Sequence, residues 1–119
     1  NNYLAVCHAA YSISKNLDIK IIVVLTDSGK TAIQMAQFRP NANIVAITPH
    51  HKTCNLLSVI WGVVPIYVKQ VKNMNDFYKL VNNILKQKKL IRKGQNFLIT
   101  SGILKIKNST NMLQIYQSK

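Results

Sequence analysis

The stretch Ile21-Ile22-Val23-Val24-Leu25-Thr26-Asp27-Ser28-Gly29-Lys30-Thr31-Ala32 decides the fold. Its first half is a short run of branched apolar residues, which reads as a strand buried on both faces. The run enters a hydroxyl-rich turn, and a helical pattern starts at once. Such a turn offers backbone N–H groups at a helix N-terminus, several hydroxyls and one ammonium, a set that suits a phosphate. It is not a nucleotide-binding Walker loop, which needs a glycine where Val24 stands, five residues before Gly29. Spacing alone leaves two readings open. Either the turn is a phosphate site, or Asp27 or Ser28 caps the helix and the turn binds nothing.

Outward from this stretch the pattern alternates. Tyr3 to Leu17 has helical spacing, with Leu4, Cys7, Tyr11 and Ser14 on one side, and Lys20 to Leu25 is the first strand. Thr31 to Phe38 is helical, stopped by Arg39-Pro40, and Asn43 to Ile47 is a second buried strand. His51 to Ile60 reads as a helix closed at Trp61-Gly62, with Val63 to Val68 as a third strand. Met74 to Lys88 is amphipathic, with Phe77, Leu80, Val81, Ile84 and Leu85 on one face. Arg92 to Gln95 is a turn, Asn96 to Thr100 a fourth strand and Met112 to Tyr116 a last one.

Strands alternating with helices imply βαβ units with right-handed crossovers, hence a three-layer α/β/α sandwich with a mainly parallel sheet. The connection from Thr100 to Asn111 has no helical pattern and is too short for a standard crossover, so the last strand is expected antiparallel at a sheet edge. Residues 1–119 form a single domain, with no internal repeat and no linker. Ligands of such sheets bind beyond the carboxyl ends of strands where strand order reverses. If the first and fourth strands are neighbours, the Thr26–Thr31 turn and Thr100-Ser101-Gly102 face one crevice.

Composition narrows the function. No apolar run approaches the ~18 residues of a membrane span, and no signal peptide is visible. Cys7 and Cys54 are too few for a disulfide framework, which points to a reducing cytoplasm. The chain opens with Asn1-Asn2 rather than Met, as expected of a domain cut from a longer polypeptide or trimmed from a tag. The formal net charge is +13, with Asp18, Asp27 and Asp76 the only acidic residues. The lysines are spread along the chain without interleaved aromatics. Lys, Asn and Ile dominate, so an A/T-rich coding bias accounts for the charge better than selection for polyanion binding does; a nonspecific polyanion-binding module is the weaker alternative, since charge of this kind speaks to nonspecific association.

Catalysis is hard to build from this inventory. Glutamate is absent, the three aspartates fall on different elements, and no carboxylate pair is available for acid–base work. Ser28 and Ser101 can meet at the crevice, but no histidine is expected beside them. His8 reads as a surface or packing residue of the first helix. His50, His51 and Cys54 sit at a helix start with no fourth ligand, so capping and packing are expected of them rather than metal binding.

At this point the residues resemble a family. Leu25-Thr26-Asp27-Ser28-Gly29-Lys30-Thr31-Ala32, Phe38-Arg39-Pro40, Ile44-Val45-Ala46-Ile47-Thr48, Trp61-Gly62-Val63-Val64-Pro65, the Lys93-Gly94-Gln95 turn and Ser109-Thr110-Asn111 follow one another as in the C-terminal domain of pyruvate kinase. The resemblance covers the chain from the first helix to Ile115. It implies a five-stranded α/β/α sandwich with an antiparallel last strand. It also implies a parent enzyme that moves a phosphoryl group from phosphoenolpyruvate to ADP with Mg²⁺ and K⁺, and that is cytoplasmic and homotetrameric. The family's catalytic residues lie in a TIM barrel that is not in this chain, so none is carried over.

The same resemblance implies an allosteric effector site and a role in subunit assembly. Thr26, Ser28, Gly29, Lys30 and Thr31 match the family's phosphate-binding turn, with Asp27 at the variable position. The expected ligand is a sugar phosphate, held by hydroxyls and amides with Lys30 supplying charge. The family's second, glycine-rich effector loop is here Ser101 to Asn111, shortened and more apolar. Gly102, Lys105 and Lys107 are its candidates, the two lysines for a second phosphate or as solvated surface charges. This departure leaves the effector's identity, and effector binding itself, open.

Overall fold

The computed structural model describes residues 2–69, 74–101 and 112–119. The elements run α1 Asn2–Asn16, β1 Ile21–Leu25, α2 Lys30–Gln37, β2 Asn43–Thr48, α3 His51–Leu57, β3 Val63–Tyr67, α4 Met74–Gln87, β4 Asn96–Ser101 and β5 Met112–Gln117. One five-stranded sheet has the order β3-β2-β1-β4-β5. β1 is central and all five of its residues are buried, which is why it reads as an unbroken apolar run rather than an alternating one. It pairs in parallel with β2, Ile22 opposite Ile44, and with β4, Ile22 opposite Leu98.

The chain steps outward from β1 to β2 to β3, then crosses back to place β4 on the other side of β1. Right-handed crossovers put helices of opposite steps on opposite faces. Accordingly, Cys7 and Ala10 of α1, Ala32 and Met35 of α2 and Leu57 of α3 pack with Ile22, Val24, Ile44 and Leu98 on one face. Phe77, Val81 and Leu85 of α4 pack with Val23, Val45, Phe97 and Ile99 on the other. The successive residues of β1 therefore serve two cores in turn, as the period of two demands. β5 lies antiparallel on β4, Leu98 opposite Ile115, and closes the sheet at an edge as expected.

Two local expectations are corrected. α3 ends at Leu57 rather than Ile60, with Ser58 as its C-cap, and the chain then turns through Ile60, whose N–H reaches the Leu57 carbonyl at 3.0 Å. Gly62 does take a left-handed φ of 84°, but it lies in the turn directly before β3 rather than closing the helix. On the first helix Leu4 is exposed, and fully buried Ala10 shares the inner face with Cys7. The loop carrying Gly102, Lys105 and Lys107 lies outside the described residues.

Candidate functional site: the turn at the reversal of strand order

The reversal falls between β1 and β4, where Leu25 stands opposite Ser101, so the ends of these two strands share one crevice. The 26–31 turn rises at its margin. Thr26 is buried and continues the sheet, its N–H donating to the Ile47 carbonyl at 3.0 Å. Its Oγ1 accepts the Gly29 N–H at 2.9 Å and folds the turn back on itself. Gly29 is the N-cap of α2 at φ 91° and brings no side chain to cap it. The Ser28 hydroxyl oxygen accepts the Lys30 N–H at 3.4 Å, a long bond that takes up the first amide of the helix. Ile33 donates the bond to Gly29 that opens the helix ladder, at 3.0 Å. The preceding amides of the first turn have no intrahelical carbonyl to reach and form a local positive end.

The five expected residues therefore divide. Ser28 and Lys30 are exposed at the start of α2, whereas Thr26, Gly29 and Thr31 are buried. Thr31 seals the turn against α1, its carbonyl accepting the Cys7 thiol at 3.8 Å. Burial also pushes the Cys7 thiol up, so it acts here as a neutral donor.

What sequence reasoning missed is the support from β2 and α3. The Asp27 carbonyl accepts from Thr53 Oγ1 at 2.7 Å and from Thr48 Oγ1 at 3.4 Å. His50 Nε2 stands 3.5 Å from Asp27 Oδ1, placing a histidine at a turn where none was expected. The available signal was topological: β1 and β2 are parallel neighbours, so Thr48 and His50 end up beside Asp27. His51 stacks on Tyr67 at 3.7 Å instead, and Cys54 is half-buried with its thiol pushed up by burial. Among the described residues no three His, Cys, Asp or Glu side chains are grouped to hold a metal. His8 is exposed and meets Phe38 edge-on at 5.9 Å. At the end of β4, the fully buried Thr100 hydroxyl has no hydrogen-bond partner among the described residues. No helix among them is long and apolar enough to cross a membrane.

The Ser28–Lys30 corner brings a hydroxyl, an ammonium and the first amides of a helix together, and among the described residues no histidine is bonded to Ser28. The family model of the pyruvate kinase alpha/beta domain matches residues 4–116. A pyruvate kinase of Lactococcus lactis is 34% identical over 99 residues, covering 83% of this chain and 20% of that protein. One from Methylorubrum extorquens is 31% identical over 112 residues, covering 93% of this chain and 23% of the other. A Cryptosporidium parvum pyruvate kinase structure superposes on the whole chain with a TM-score of 0.87 at 18% identity, a likeness of fold, and the chain covers 23% of it. The chain thus spans about a fifth of the length of the relatives it matches.

Proposed function

This chain belongs to the pyruvate kinase alpha/beta-domain family, and from that membership we propose that it is the C-terminal effector-binding and subunit-assembly domain of a cytoplasmic, glycolytic pyruvate kinase. The observation that carries the effector half is the position of Ser28 and Lys30. Both are exposed at the start of α2, at the crevice where strand order reverses. A phosphate there receives the helix N-terminal amides, the Ser28 hydroxyl and the Lys30 ammonium together. A sugar phosphate is the ligand class that fits, its sugar lying towards the end of β4.

The reaction itself is assigned to the catalytic barrel of the same polypeptide, where phosphoenolpyruvate and ADP would be bound with Mg²⁺ and K⁺. The aspartates of this chain do not suit those ions. Asp18 pairs with Lys20 at 2.8 Å, Asp27 faces His50, and Asp76 lies on α4. The assembly half rests on β5. Among the described residues it is an edge strand paired on one side only, with an exposed Ile115, features that invite pairing with a second copy.

A second reading, an assembly domain with a silent effector site, is favoured by one detail: the Gly29 N–H is already taken by Thr26. Calorimetric titration with fructose 1,6-bisphosphate and ribose 5-phosphate, with inorganic phosphate as control, separates the two. Saturable binding tighter than phosphate, lost in Lys30→Ala, is the expected result. A folded protein that self-associates yet binds neither sugar phosphate is the silent domain.

A further inference from the structure

At the opposite end of the sheet from the phosphate turn, the chain forms an open groove of about 470 Å³, within the size range of small-ligand sites. Its walls come from the segments that enter β1, β2 and β3: Lys20, Arg39, Asn41, Asn43, Trp61 and Gly62. Trp61 is the only tryptophan of the chain, and it is 81% exposed, so an indole face stands open to solvent. The guanidinium carbon of Arg39 sits 5.8 Å from the centre of that ring. Arg39 has no carboxylate partner among the described residues; of the three acids, Asp18 is held by Lys20, Asp27 faces His50 and Asp76 is on α4. Arg39 itself holds a left-handed φ of 48° immediately after α2, a conformation disfavoured for a residue with a side chain.

These groups have complementary demands. An open indole takes a planar ring by stacking, an unpaired guanidinium takes an oxyanion through two N–H groups, and two side-chain amides can read ring edges. A lone phosphate uses only the cation, and a neutral ring uses only the indole. We propose that this groove is a second ligand site, for a small molecule that joins a planar aromatic ring to an oxyanion. A nucleoside monophosphate is the simplest match. The ring stacks on Trp61, Arg39 binds the anion with Lys20 beside it, and Asn41 and Asn43 face the ring edge. The site is separate from the Ser28–Lys30 corner: α2 begins at that corner with Lys30, runs about 12 Å at the usual rise, and ends at Gln37, two residues before Arg39.

Trp61 reports on the site directly, because no other tryptophan contributes to its fluorescence. AMP titrated into the full chain is expected to change Trp61 emission saturably. Adenosine, ribose 5-phosphate and inorganic phosphate should each bind at least tenfold more weakly. Arg39→Gln should weaken AMP at least tenfold with the circular dichroism unchanged, whereas Lys30→Ala should leave the response in place. Calorimetry completes the test, with Trp61→Phe retaining AMP binding and Trp61→Ala losing it. No saturable response from the folded chain overturns the proposal. So do adenosine or phosphate matching AMP, an unaffected Arg39→Gln, or a response abolished by Lys30→Ala.

Discussion

The hydroxyl of Thr53 donates a 2.7 Å hydrogen bond to the backbone carbonyl of Asp27, tying α3 to a turn twenty-six residues earlier in the chain. The same helix closes on Gly29. A Cβ built there would lie 3.1 Å from Leu57 Cδ2 and 3.3 Å from Thr53 Cγ2. The 26–31 turn is thus held in shape by a helix that contributes no residue to it. Its backbone is positioned from outside, which leaves Ser28 and Lys30 on the solvent side.

Thr53→Val tests that brace. The substitution keeps the shape and removes the donor, leaving the Asp27 carbonyl the longer 3.4 Å contact from Thr48. A lost hydrogen bond of this kind costs about 1 kcal/mol, which lowers the melting temperature of a domain this size by roughly 4 °C. Thermal unfolding followed by circular dichroism gives the value. A melting temperature equal to the parent's would show that the bond does not hold the turn.

Gly29→Ala should cost more than Gly94→Ala. Both glycines have φ 91°, so alanine meets the same left-handed strain, about 1–2 kcal/mol, at either position. Only at Gly29 does the new methyl also press on Leu57 and Thr53, whereas nothing lies within 4 Å at Gly94. Overpacking adds about 1 kcal/mol or more. Urea midpoints of the two variants decide it, and equal losses would mean that the α3 contact yields freely.

The architecture was legible because the two periodicities of this chain are clean. The apolar run of β1 and the spaced Phe77, Val81 and Leu85 of α4 each match their observed burial. The antiparallel edge strand followed from the shortness of the connection before it. The end of α3 was not legible: Val59, Ile60 and Trp61 prolong an apolar pattern, yet Val59 and Trp61 are 81% exposed. Apolar character records what a residue is made of, and here it does not record what the fold buries. At the site, the local turn could be read from spacing, but Thr48, His50 and Thr53 arrive through the pairing of β1 with β2. The Arg39–Trp61 groove likewise depends on strand order, which no short segment encodes.

Alkaline conditions should weaken the fold. Burial holds the thiols of Cys7 and Cys54 above their ordinary 9.0. Burial, and then the neighbouring Tyr116, hold Tyr78 above its ordinary 10.0. In each case the unfolded chain releases its proton first, so between the two values it binds fewer protons than the native state. Stability is then full below about pH 9 and falls as pH rises through the native values. Urea midpoints across the alkaline range should decline from that point, with Tyr78→Phe removing the part of the decline above pH 10. A flat profile would refute the shared cause.

Arg39→Gly separates stability from binding. At the position just past a helix end, a left-handed residue is normally glycine, and Arg39 holds that conformation at φ 48°. Glycine relieves about 1 kcal/mol of strain, against a loss of about 0.5 kcal/mol for an exposed cation–π contact with Trp61. The variant should therefore be as stable as the parent or slightly more so, while the Trp61 response to AMP disappears. A protein that gains stability as it loses a ligand cannot owe that loss to misfolding. If Arg39→Gly is markedly less stable, the guanidinium is holding the fold through Trp61. If it is stable and still binds AMP, Arg39 does not hold the anion and the proposed groove site is overturned.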